Sequence, residues 1–418
     1  MSKQRERTST ATPGGGGDHR ELPGAAPGPV RAAFLLLGVF WGIWAVCVFD
    51  IQRTFHLTDG ALGTLLAVAV GSAAIGGAVV SHRAERWGTS PMLVGSLVAW
   101  ALMLTAAAAA GPWPVFAVFF CAAEVAGGCV DTAMNAAASR RLAGRPGALV
   151  RFHALFNAGA LSGAGAAGLL LWLGVSWRWL WPAVGLVAVG LAVWTWHSAQ
   201  PEPAALQPAG GPPADGAEPA RKRHDHPVAR LRAEGLLLLL LVFALAEVIE
   251  GGVDTWGVLY LRTHLATGVL LGAGAYVVGQ SVAVTTRGAG GPLLGRLSPR
   301  AALVVGGLLA GGGILLESRS PAAVIAAVGL ALGAGGASLF WPLVMSEVTR
   351  HASRATSAVG AFTAAGYVGW VAGAPAVGWV SDTWGAARGL QLLAALAAGV
   401  VVASLLRRDG RQPRSTGR

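Results

Sequence analysis

Twelve apolar stretches dominate the chain, and each has the length that a bilayer crossing demands. They cover about 31–50, 60–80, 91–110, 114–138, 152–174 and 178–197, then 234–260, 267–290, 300–317, 321–345, 356–379 and 386–406. A helix rises about 1.5 Å per residue, so about 20 apolar residues cross the hydrocarbon layer. No water is present there to satisfy the backbone, so such runs are expected as helices that bond internally. The expected fold class is an all-α membrane protein with 12 transmembrane helices.

Composition agrees. Hydrophobic residues make up 54% of the 418 and charged residues only 12%, where soluble domains carry about a quarter. The 61 glycines lie largely within apolar runs, where small residues let helix backbones approach closely. The net charge of +11 does not read as a nucleic-acid footprint, because no basic stretch is interleaved with aromatics as a nucleic-acid groove requires. There is no P-loop, no nucleophile with a histidine partner and no metal-ligand cluster, so neither an enzyme, a cofactor nor a metal site is expected. Cys47, Cys121 and Cys129 form no CxxC pair and read as small packing residues.

Segment 198–233 differs from its surroundings. It contains PEPAALQPAGGPPADGAEPARKRHDH, a Pro-, Ala- and Gly-rich stretch that cannot bury a core. It reads as a flexible cytoplasmic linker between an N-terminal six-helix bundle, 31–197, and a C-terminal one, 234–406. Residues 1–30 read as a disordered cytoplasmic tail and 407–418 as a basic one. Six helices plus six is the pattern of transporters built from an internal repeat. With the N-terminus inside, the outer side carries only Arg53, Arg178, Arg262, Arg319 and Arg388 of the 31 lysines and arginines. Basic residues gather in cytoplasmic loops, so this asymmetry places both termini in the cytoplasm and the protein in the cytoplasmic membrane.

Ionisable residues inside spans are costly, about 2.5–3.5 kcal/mol each, and therefore ask for a reason. In the fourth run Glu124, Asp131 and Asn135 are spaced to share one helix face. In the seventh, Glu247, Glu250 and Asp254 fall within an arc of about 60°. They are candidates for proton coupling and substrate binding; the alternative is structural pairing with arginine. Asp50 ends the first run. Glu317 and Glu347 read as solvated helix ends, and Arg287 as a residue that snorkels to the interface or balances an acid.

Several motifs carry a family resemblance. Ala84-Glu85-Arg86-Trp87-Gly88 resembles the loop 2–3 signature of the major facilitator superfamily, with Glu85 in place of Asp. Gly291 to Arg300 repeats a similar element at the matching place in the second half. Glu85, Arg86, Gly88, Arg296 and Arg300 would then form a charged cytoplasmic latch. Gly127-Gly-Cys-Val-Asp131-Thr-Ala-Met-Asn135, Arg151-Phe-His153, Glu250-Gly-Gly-Val-Asp254-Thr-Trp256 and Ala365-Gly-Tyr367 to Pro375 resemble the fucose-permease-like branch, especially its YbjJ-type members of the bacterial inner membrane.

The resemblance implies a fold of two six-helix bundles around a cavity lined by helices 1, 4, 7 and 10. It sets the acids of runs 4 and 7 at that cavity and brings Trp44, Trp256, Tyr260 and Trp341 there as aromatic candidates. Fucose/proton symporters pair an acid of helix 1 with one of helix 4, which Asp50 and Glu124 would echo. Cys47 and Phe49 stand where the branch has Arg and Pro, so its substrate is not carried over. The expected function is a proton-coupled secondary transporter, monomeric in build, for a small polar organic solute. An efflux pump is one alternative, although Gly159 to Gly165 lacks the proline of drug antiporters. A non-transporting membrane sensor or scaffold is another.

Overall fold

The computed structural model describes residues 23–141, 146–201, 231–232, 235–294, 297–352 and 355–407. Helices follow the twelve predicted runs. The first half comprises α1 (Pro27–Thr54), α2 (Asp59–Trp87), α3 (Thr89–Ala109), α4 (Trp113–Arg141), α5 (Pro146–Trp172) and α6 (Trp177–His197). In the second half the seventh run is α7 (Leu237–Gly252), a π-helical turn (Val253–Gly257) and α8 (Val258–Thr263). Then come α9 (Val269–Leu294), α10 (Pro299–Arg319), α11 (Ala323–Ala337) with α12 (Phe340–His351), α13 (Ala355–Trp384) and α14 (Ala386–Leu406). Ten candidate spans among the described residues are long and apolar enough to cross a membrane; α11 and α12 together make one of them. The two predicted runs outside that set are the seventh, broken by its π turn, and α13.

The halves repeat one packing pattern. In the first, α1 packs on α5, α2 and α3 on α4, and α3 on α6; in the second, α7 packs on α13, α9 and α10 on α11, and α10 on α14. Between halves, α2 packs on α13 and α5 on α9, which are equivalent positions in the repeat.

Glycine makes the closest of these contacts possible. Gly38 and Gly42 of α1 face Gly159 and Gly163 of α5, and a side chain on any of the four would overlap a carbonyl oxygen of the partner helix. Both pairs are spaced G-x-x-x-G, the spacing that lets membrane helices touch backbone to backbone. Large apolar side chains on the outside, such as Leu186, Val118 and Trp179, are mostly exposed. A soluble protein hides such a surface; a lipid-facing one presents it.

Order begins earlier than the predicted tail boundary. Pro23–Gly24 forms a two-residue antiparallel strand pair with Gln200–Pro201, inside the predicted linker. Arg141 joins them, donating to the Ala25 carbonyl at 2.5 Å and to Gln200 Oε1 at 3.2 Å, while the Ala25 amide donates to Thr89 Oγ1. Residues 25–30, 198–199, 231–232 and 407 of the predicted tails and linker are also described, and the remainder lies outside the described residues.

Candidate functional site

Between the halves, near the midpoints of α1, α4 and the seventh run, lies a narrow cleft. Trp41, Trp44, Leu66, Phe120 and Glu124 line it from the first half, and Glu247, Gly251, Thr255 and Trp370 from the second. Trp44 stacks on Phe120 with ring centroids 4.9 Å apart and planes 12° from parallel. Glu124 is 4% exposed. Among the described residues no hydrogen bond or ion pair reaches its carboxyl group. Gly366 and Gly369 of α13 give Glu247 room to pack, and the Trp370 indole lies beside it. No Arg, Lys or His lines the cleft.

The other predicted acids are already partnered. Glu250 forms an ion pair with Arg287 of α9, whose Nε also donates to the Ser338 carbonyl at 3.1 Å. Asp254 accepts from Gln280 Nε2 at 2.7 Å, a partner with no distinguishing mark in the sequence. Asn135 donates to Asp131 Oδ1 at 3.0 Å along its own helix. Of the six acidic and amide candidates in runs 4 and 7, the structure brings Glu124 and Glu247 together at one cleft and turns the rest to internal bonds.

Asp50 does not join Glu124. It meets Arg262, at the end of α8, at 2.6 Å. Arg262 also donates to the Val46 carbonyl at 3.2 Å and lies 4.0 Å from the centre of the Phe49 ring. A second tie lies at the same end of the bundle, where the Gly60 amide of α2 donates to Asp382 Oδ2 of α13 at 2.9 Å. Both ties cross between halves and cap the cleft on the side of the loops that follow runs 1, 7 and 11.

Three aromatic expectations change. Trp256 and Tyr260 are 3% and 4% exposed and lie within the second half, where Tyr260 donates to the Ser318 carbonyl at 3.1 Å. The π turn spans Val253–Gly257, and Thr255 within it lines the cleft whereas Trp256 and Tyr260 do not. Trp341 is exposed and does not line the cleft. Trp44 does, joined by Trp41, Phe120 and Trp370, which the sequence did not single out.

Two acids read as solvated are buried. Glu347 is ion-paired with Arg350 at 2.5 Å and with Arg407 of α14. Glu317 is fully buried against Gly257 of the π turn, with neither carboxyl oxygen hydrogen-bonded among the described residues. Of the predicted latch, Gly88 turns the chain with φ +83° between α2 and α3. Arg86 is exposed, and Arg300 donates to the Leu405 carbonyl of its own half. The Glu85 side chain and Arg296 lie outside the described residues.

A two-bundle membrane protein with a cleft at the pseudo-symmetric interface has the build of a transporter. Residues 30–374 match the Major Facilitator Superfamily, and the chain belongs to that family. It is 24% identical over 358 residues to an uncharacterised MFS-type transporter of Yersinia pestis, covering 84% of this chain and 88% of that one. It is 24% identical over 382 residues to the membrane protein MosC of Rhizobium meliloti, covering 90% and 88%. Among solved structures it resembles a bacterial homologue of the lysosomal transporter Spinster in an inward-facing, unoccupied conformation, with TM-score 0.74, 15% identity and coverage of 90% and 94%. It also resembles the nucleoside transporter NupG, with TM-score 0.71, 13% identity and coverage of 90% and 96%. A D-xylose–proton symporter matches with TM-score 0.67, 16% identity and coverage of 90% and 95%.

Proposed function

We propose that this chain is a secondary active transporter that moves a small polar organic solute by alternating access, coupled to protons through Glu124 and Glu247. The observation that carries this reading is the cleft itself. It holds two carboxyl groups, one from each half, at mid-depth. Carboxyl groups at that depth are expensive unless they bind something, and a group that takes up a proton on one side and releases it on the other couples solute to the proton gradient. About 2.3 kcal/mol per charge per 100 mV is then available to drive accumulation.

All twelve helical stretches are taken to cross the cytoplasmic membrane with both termini in the cytoplasm, as the arginine distribution supports. On that orientation the Asp50–Arg262 and Gly60–Asp382 ties hold the outer side closed. Residues 127–135, 250–256 and 365–375 support a place in the fucose-permease-like branch. The D-xylose–proton symporter among the similar structures is, as its name says, proton-coupled, which supports coupling here. Efflux is the second reading, since nothing in the cleft's geometry fixes a direction.

The test is solute accumulation in proteoliposomes under an imposed pH gradient. Glu124→Gln and Glu247→Gln are each expected to abolish gradient-driven accumulation. Accumulation unchanged in both variants sinks the coupling reading.

A further inference from the structure

The chemistry of the cleft narrows the solute. Its polar groups are Glu124, Glu247, Thr255 and the indoles of Trp41, Trp44 and Trp370. A polyol needs several donors and acceptors paired at once, because a buried polar group left unpaired costs about 1–3 kcal/mol. The donors in this lining are one hydroxyl and three indole N–H groups, and two carboxyl groups dominate the acceptors. It offers aromatic faces, with Trp44 buried and stacked on Phe120, and Trp41 and Trp370 completing the lining. It also offers two carboxyl groups with no basic residue in the lining. Glu124 is more than nine-tenths buried, carries no partner among the described residues and points into the cleft.

The other acids nearby differ in this respect. Glu250 is held by Arg287 and Asp50 by Arg262, so their charge is spent inside the protein. Aromatic rings attract a cation through their negative faces, most strongly in dry surroundings, and a carboxylate adds direct charge attraction. We propose that the solute of this transporter is an organic cation, an ammonium group carrying an apolar substituent, held between Glu124 and Glu247 against Trp44, Phe120 and Trp370. This rests on the reading of the cleft as the transport site.

It follows that a proton and the ammonium group compete for the same carboxyl groups, so binding weakens as the pH falls. The neighbours that bear on this competition are Cys121 beside Glu124, and Glu250, Arg287 and Tyr367 around Glu247. None of them lines the cleft.

The test uses the purified full chain in detergent, without any gradient. Binding of benzyltrimethylammonium is compared with that of its uncharged isostere neopentylbenzene and of D-xylose, by tryptophan fluorescence and calorimetry at neutral and acid pH. The cation is expected to bind at least about tenfold more tightly than the isostere, more weakly at acid pH, and with that preference lost in Glu124→Gln. Trp44→Phe, which keeps an aromatic face, is expected to retain most of it, and guards against a Glu124 variant that fails to fold. Equal binding of cation and isostere, binding of D-xylose in preference, or no binding of the cation overturns the inference. Proteoliposome flux separates the two readings. Cation binding without gradient-driven flux sinks proton coupling and leaves the cation site standing, whereas gradient-driven flux of D-xylose with no cation binding does the reverse.

Discussion

Arg262 and Asp50, 212 residues apart in sequence, meet at 2.6 Å across the junction of the two halves. Arg262 is 8% exposed and Asp50 29%, and the Val46 carbonyl takes a second bond from the same guanidinium nitrogen. A charge-assisted bond of this kind contributes about 1.5–3 kcal/mol. Buried beside it is Cys47, at 0% exposure.

Asp50→Asn is therefore expected to shift the balance between closed and open outer ends by roughly ten- to hundredfold. With Cys121 and Cys129 replaced by alanine, the rate at which a membrane-impermeant maleimide labels Cys47 from outside should rise to match. A labelling rate equal to that of the parent would show that this pair does not hold the end closed.

The Glu250–Arg287 pair is expected to be structural. Removing one partner of a largely buried pair strands the other charge and destabilises by up to about 3–5 kcal/mol; partial exposure of both side chains, 32% and 23%, places the effect toward or below the lower end. Glu250→Gln should lower the melting temperature in detergent, and Glu250→Gln with Arg287→Gln should recover much of the loss. Additive losses in the double variant would mean that the two residues act independently.

Gly38→Val and Gly159→Val should abolish the monodisperse folded protein, because the new side chain meets a carbonyl of the facing helix. Gly165→Ala, at a position with open space around it, should elute unchanged in size-exclusion chromatography. A folded Gly38→Val protein would mean that α1 and α5 can separate without loss of the half.

Glu317 is buried with both carboxyl oxygens unbonded among the described residues. An apolar chain of similar length suits that space better, so Glu317→Met is expected to raise stability by about 1–3 kcal/mol, read as a higher melting temperature. A lower one would mean that the carboxyl group holds α10 to its neighbours.

Much of the architecture was legible because it depends on local composition. Apolar runs gave helix positions to within a few residues, as in 386–406 for α14 and 178–197 for α6. The contact between Asp131 and Asn135, four residues apart, agrees with helical spacing. What escaped depends on which distant chain lies opposite. Nothing near Asp50 in sequence points to Arg262, and nothing near Glu347 points to Arg407. Glu317 lies at a helix end, where exposure is the ordinary outcome, yet the π turn packs over it. Trp256 and Tyr260 were placed at the cavity by the family resemblance, and the structure buries both, at and just beyond the π turn between Gly252 and Val258.

The short strand pair of Pro23–Gly24 with Gln200–Pro201 brings together the two places where the chain enters and leaves the first six helices. That half is thus nearly a closed ring, its start and finish side by side on one face. A module whose ends meet can be copied in tandem, permuted or fused at that seam without crossing its interior, because no connecting segment has to travel the length of the bundle. The seam at Arg141 is where a cut-and-rejoined version of this half would be closed.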